Sequence, residues 1–252
     1  MRERPNTWLR RLPLESVNEI TVREFIPRSV RQVISRRTVR FRCFQRLSPV
    51  SRRLGYDRGL PLDRYYIESF LSRESSTVRG RVLEIGANDY TTRFGGDRVE
   101  TSDVLHVDPG HPFATIVADL QSAPQINSSS FDCIICTQTL QFIFDTVSVI
   151  RTLHRILKPG GTVLVTTAGI AQLARDDTTR FGEYWRFTSQ SLQRLFEGSF
   201  SPTNVRVDTY GNVLVAAALL YGLSAEDLRP REVAYRDPDY EVTIALRATK
   251  NV

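Results

Sequence analysis

From Pro61 onward the apolar positions switch between two rhythms. Leu62, Tyr65, Tyr66, Ser69 and Phe70, with Ile67 and Leu71, recur at helical spacing and predict an amphipathic helix capped near Asp63. Short apolar runs then alternate with helical stretches. The runs predict strands at Val82–Ile85, Val104–Val107, Thr115–Ala118, Phe131–Thr137, Thr162–Thr167, around Val205–Tyr210 and at Glu241–Arg247. Helices are expected at Thr146–Leu157, from about Ser189 to Glu197, and near Val213–Tyr221. The first of these should stop at Lys158-Pro159-Gly160-Gly161, a helix-end and turn signal. Tyr90 to Gly96 reads as a short, poor helix. Apolar strands separated by helices point to a doubly wound α/β fold, a mostly parallel seven-stranded sheet with helices on both faces.

Residues 1–60 break this pattern. Their apolar positions are scattered, and Pro5, Pro13, Pro27 and Pro49 interrupt any long helix. They hold 15 Arg against 5 acidic residues, a net of +10, whereas residues 61–252 hold 19 basic and 23 acidic residues, a net of −4. A basic N-terminal arm over 1–60 and one domain over 61–252 follow. The arm reads first as a solvated or packing extension, and second as a docking element for nucleic acid or an anionic membrane surface. Glu3, Glu15, Glu19 and Glu24 argue against an organellar transit peptide.

The longest apolar run, Val213 to Tyr221, has nine residues, short of the roughly 20 that span a membrane. The N-terminus shows no apolar signal region. Three cysteines, Cys43, Cys133 and Cys136, give no disulfide framework and suit a reducing, cytoplasmic setting. Residues three apart on a strand point to opposite faces, so Cys133 and Cys136 read as core residues and no metal site follows.

The candidate chemistry lies at strand ends, where open sheets of this kind bind ligands. Arg81-Val82-Leu83-Glu84-Ile85-Gly86 runs from a strand into a glycine turn. Gly86 permits close backbone approach because no Cβ intrudes, and Glu84 is placed to receive an ammonium group. Asp108 follows Gly86 by twenty-two residues, near the ~20-residue spacing at which an acid meets a ribose. Asp119, at the next strand end, can accept from an exocyclic amine. The first turn lacks the further glycines of a pyrophosphate-binding loop. A cationic amino-acid nucleoside therefore fits better than a dinucleotide.

These residues resemble class I S-adenosylmethionine-dependent methyltransferases, which have a Rossmann-like fold. Val82-Leu83-Glu84-Ile85-Gly86 is similar to their first motif, Leu105-His106-Val107-Asp108 to the ribose-binding strand end, and Val117-Ala118-Asp119-Leu120 to the adenine segment. Phe131-Asp132-Cys133-Ile134-Ile135-Cys136 resembles their fourth strand. The run from Leu153 through Lys158-Pro159-Gly160-Gly161 to Val165 is similar to their helix–turn–fifth-strand signature. Tyr184-Trp185-Arg186-Phe187-Thr188 resembles "type 11" members that act on glycans or small molecules.

The resemblance implies S-adenosyl-L-methionine as cofactor, held by Glu84, Gly86, Asn88, Asp108 and Asp119, with Arg64 and Tyr65 folding over its carboxylate. It implies acceptor-side roles for Gln138, Gln141 and Tyr184, with His111 as a candidate base. Methyl transfer to an oxygen or nitrogen of a small-molecule or saccharide-like acceptor is the leading expectation. A nucleic-acid acceptor engaged through the arm, and a non-catalytic cofactor-fold scaffold, are the two rivals.

Overall fold

The computed structural model describes residues 46–252. The arm expected over 1–60 thus lies mostly outside the described residues, as does Cys43. Its last part is joined to the domain. Val50 N and Ser51 N donate to the Tyr221 carbonyl at 2.8 and 3.2 Å, and Arg58 forks onto Asp227 at 2.7 and 2.8 Å. The packed structure therefore begins before residue 61.

Seven strands form one sheet in the order β3-β2-β1-β4-β5-β7-β6. They are β1 (Gly80–Ile85), β2 (Val99–His106), β3 (Ile116–Val117), β4 (Phe131–Thr137), β5 (Leu157–Ala168), β6 (Val205–Tyr210) and β7 (Thr243–Thr249). All neighbours pair in parallel except β7, which runs antiparallel to β5 and β6. The expected doubly wound, mostly parallel sheet is present. The helices are α1 (Leu62–Arg73), α2 (Asp89–Gly95), α3 (Thr146–Ile156), α4 (Arg175–Phe181), α5 (Ser189–Glu197), α6 (Val213–Leu220) and α7 (Pro230–Ala234).

Both faces of the sheet are buried. Leu83, Ile134, Cys136 and Val165 pack with Ile150 and Leu153 of α3 and with Phe196 of α5. Val82, Cys133, Ile135 and Leu164 pack with Leu62, Tyr66 and Phe70 of α1 and with Val215 and Leu219 of α6. Cys133 and Cys136 fall in different layers, as strand alternation requires, and burial pushes each thiol up to about 12. Among the described residues no helix is long and apolar enough to cross a membrane.

Several elements differ from the pattern-based expectation. β2 starts at Val99, because Glu100-Thr101-Ser102-Asp103 is strand without apolar alternation. Its Asp103 is instead paired with Arg81 of β1 at 2.8 Å. Helix α3 stops at Ile156, as the signal at Lys158-Pro159-Gly160-Gly161 predicts, but that segment is not a free turn. It is a bulged start of β5, tied by Lys158 Nζ to Asp132 of β4 at 2.7 Å. Helices α4 and α7 carry no apolar period that would have announced them.

Candidate active site

β1 and β4 are neighbours, yet the chain leaves β1 toward β2 and leaves β4 toward β5. A crevice opens where two such connections diverge, and Gly86 and Gln138 sit at its base. Gly86 has φ +90°, a left-handed conformation that favours glycine. Its N–H donates to the Leu105 carbonyl at 2.9 Å, and a Cβ placed on it would meet nothing within 4 Å. The space above the first turn is open.

Two cavities meet there. The larger, about 470 Å³, runs over the ends of β2 and β4 between His106, Asp119, Gln121, Phe144, Phe181 and Tyr184. The smaller, about 320 Å³, runs toward α1 between Asp63, Arg64, Glu84, Asp89, Tyr90 and Gln141. Gly86, Gln138 and Asp177 line both.

Glu84 lines the smaller cavity but is only 2% exposed, and its oxygens are engaged. Asn88 caps α2 with no side-chain bond, and Glu84 supplies what is missing. One oxygen accepts from Thr91 N and Thr91 Oγ1, both at 2.7 Å, and the other from Tyr90 N at 3.3 Å. An anion at a helix start satisfies orphan N–H groups. Burial raises its pKa, while these hydrogen bonds oppose the rise. Asn88 itself is exposed and lines neither cavity.

Asp108 lies two residues beyond the end of β2, half-buried, outside both cavity walls. Its Oδ1 accepts from Gly110 N at 2.8 Å. Asp119 does line the larger cavity, with Oδ1 accepting from Gln121 N at 2.9 Å. Arg64 lines the smaller cavity, and its Nε donates to the Tyr56 hydroxyl at 2.7 Å. Tyr65 does not join it. Its ring packs edge-on against Tyr66, with centroids 5.6 Å apart, and the rings beside Arg64 are Tyr56 and Tyr90. Helical spacing turns residue 65 away from the cavity that residue 64 faces.

His111 also lies outside both cavities, stacked on His106 at 4.1 Å. Gln138 takes φ +48°, unusual for a residue with a side chain, directly after β4. Gln141 Nε2 donates to Gln138 Oε1 at 2.8 Å, which leaves Gln138 Nε2 and Gln141 Oε1 buried without partners among the described residues. Tyr184 is half-exposed on the wall of the larger cavity. Phe144 meets Tyr184 edge-on at 5.5 Å and stacks on Trp185 at 5.6 Å. Arg186 is not available beside them, since it pairs with Glu183 at 2.6 Å and donates to the carbonyls of Ala171, Gln172 and Trp185.

Sequence reasoning missed Asp63, Tyr56, Phe181 and Asp177. The last two lie on α4 or at its end, a stretch with no periodic signal. The pattern predicts a cap near Asp63, yet α1 starts after Pro61 with no side-chain cap bond, and burial raises the Asp63 pKa on the wall of the smaller cavity.

The open space over Gly86, continuous with one cavity on each side, and the unpartnered buried amides fit an elongated ligand with polar groups along its length. S-adenosylmethionine has that form, with a nucleoside at one end and an amino acid at the other.

Residues 80–165, which span β1 to most of β5, match the family model described as "Methyltransferase domain". No curated protein sequence matches the chain. Among solved structures, a SAM-dependent methyltransferase from Archaeoglobus fulgidus is similar at TM-score 0.50 and 10% identity, covering 74% of this chain and 94% of that one. A putative sarcosine dimethylglycine methyltransferase from Galdieria sulphuraria is similar at TM-score 0.51 and 13% identity, covering 75% and 86%. The [4+2]-cyclase SpnF is similar at 0.51 and 17%, covering 76% and 83%. At such identities these likenesses speak for the fold alone, and the cyclase is a reminder that fold does not dictate chemistry. Residues 80–165, the strands that build the crevice, are thus a methyltransferase domain of the S-adenosylmethionine-dependent kind, on a sheet with β7 reversed between β5 and β6.

Proposed function

We propose that the enzyme methylates an oxygen or nitrogen of a small-molecule or saccharide-like acceptor. The observation that carries this reading is the aromatic wall of the larger cavity. Phe144 and Tyr184 are 67% and 51% exposed, and Phe142 and Phe181 complete the lining. Exposed aromatic faces next to amides suit a ring-shaped, hydrogen-bonding ligand. Among the described residues no Lys or Arg lines this cavity, so none of them favours a phosphate group there.

When bound, S-adenosylmethionine supplies a methyl group activated on a sulfonium, and the protein's task is alignment. In this reading Gly86 lets the ligand lie against the backbone, and Glu84 holds the turn that keeps Gly86 in place. Arg64 takes the amino-acid carboxylate, and Asp119 accepts from the adenine amine. Asp108, through the oxygen that Gly110 leaves free, takes the ribose. Gln138 and Gln141 present one donor and one acceptor to the acceptor molecule, with Tyr184 closing over it. His111 has no part, being packed on His106.

The test is a screen with labelled methyl donor over neutral glycosides, primary and secondary amines, phosphate esters and transfer RNA. Label on a neutral ring compound or an amine is the expected result. Label confined to phosphate esters or RNA would overturn the reading.

A further inference from the structure

The two cavities share six lining residues, Ile85, Gly86, Thr137, Gln138, Phe142 and Asp177, and only Asp177 among them carries a charge. Sequence patterning gave no reason to notice it. It sits in the first turn of α4, and its carboxylate has no hydrogen bond or ion pair among the described residues. The other acids around the crevice are mostly occupied. Glu84 holds the start of α2, Asp119 is bonded by Gln121, and Asp63 accepts from Arg64 N at 2.8 Å. Glu183 accepts from Ala174 N at 3.0 Å and from Thr178 Oγ1 at 2.7 Å, and also pairs with Arg186. Glu183 is thus the brace that fixes α4, and it leaves Asp177 facing the junction.

A ligand with a nucleoside in one cavity and an amino acid in the other has its sulfur between them. That atom is positive in S-adenosylmethionine and neutral in the demethylated product. We propose that Asp177 is the residue by which the crevice distinguishes the two, favouring the charged cofactor and easing release of the neutral product. The inference rests on the reading that the two cavities hold the two halves of one cofactor.

Charge and burial agree with this role. Partial burial and the neighbouring Asp176 raise the Asp177 pKa, with Arg180 opposing, as expected for a carboxylate that has no cation of its own. A cation brought to the junction relieves that penalty, whereas a neutral thioether does not.

The experiment is isothermal titration of the full chain with three probes: S-adenosylmethionine, S-adenosylhomocysteine, and sinefungin, which carries an ammonium in place of the sulfonium. Asp177→Asn should weaken the two cationic probes by about three- to tenfold and the neutral one by less than about twofold. Asp176→Asn, whose side chain lines neither cavity, is the control and should leave the ratio alone. Thermal melts of each variant confirm folding. Equal loss for all three probes, no loss for any, or the same ratio change in the control would overturn the proposal. Wild-type protein that binds none of the probes would instead end the two-halves reading, and the proposal with it.

Discussion

The two cavities beside Gly86 are built from different materials. The larger is walled by strand ends and aromatic rings, and its recognition is a matter of faces and shape. The smaller is also apolar in part but carries more titratable side chains, among them Asp63, Arg64, Glu84, Asp89 and Tyr90. An apolar wall tolerates many ligands of similar outline, while a charged one discriminates by sign and by hydrogen-bond count. On the proposed reading, the crevice holds one cofactor at its amino-acid end through the smaller cavity and leaves the aromatic wall to suit an acceptor.

The sharpest way to break that comparison is at Gly86, one of the residues the cavities share. Gly86→Val should abolish cofactor binding, a loss on the order of a hundredfold or more in calorimetry. Its Cβ finds open space in the protein, so the damage comes from the strained φ and from filling the trough. Retained affinity would mean that no ligand lies over this turn.

Next, Asp108→Ala should weaken S-adenosylhomocysteine and 5′-methylthioadenosine alike, by about tenfold or more, as expected for a lost charge-assisted bond to ribose. An unchanged affinity would remove the ribose role from a residue that the structure places just outside the cavity wall. Arg64→Ala should act on one side only. We expect about tenfold loss for S-adenosylhomocysteine and none for 5′-methylthioadenosine, which lacks the amino-acid end. Parallel losses would mean that Arg64 shapes the whole crevice and does not grip one end of the ligand.

The smallest effect concerns Glu84. Its folded pKa lies above the ordinary 4.5 through burial, so the charged form is penalised in the folded state. The penalty is absent at low pH and grows as pH rises through that raised value. Glu84→Gln lacks it, so the melting temperature of the variant relative to wild type should shift in the variant's favour between acid and neutral pH. A relative shift in the opposite direction would show that the bonds to Thr91 and Tyr90 outweigh burial.

Much of the scaffold was legible because it is written locally. Phe131–Thr137 and Ser189–Glu197 occupy the expected spans, since an uninterrupted apolar run and a Thr188 cap with helical spacing are short-range signals. The first half of β2 was not legible, because its polar residues are held in strand geometry by pairing with β1. The candidate site was read in part. Gly86, Glu84, Arg64, Asp119, Gln138, Gln141 and Tyr184 line the crevice, while Tyr65, Asn88, Asp108 and His111 do not.

The order of residues by itself determined the strands, the glycine turn after β1 and the separation of Cys133 from Cys136, because periodicity and backbone sterics act over a few positions. Only the tertiary structure decided which acids face the crevice with oxygens to spare. Glu84 is consumed by a helix start, Arg186 by Glu183, and Asp177 is left open because Glu183, six residues on, anchors its helix. A carboxylate's availability depends on which donors reach it first, and that competition is settled by packing between segments, which no local pattern records.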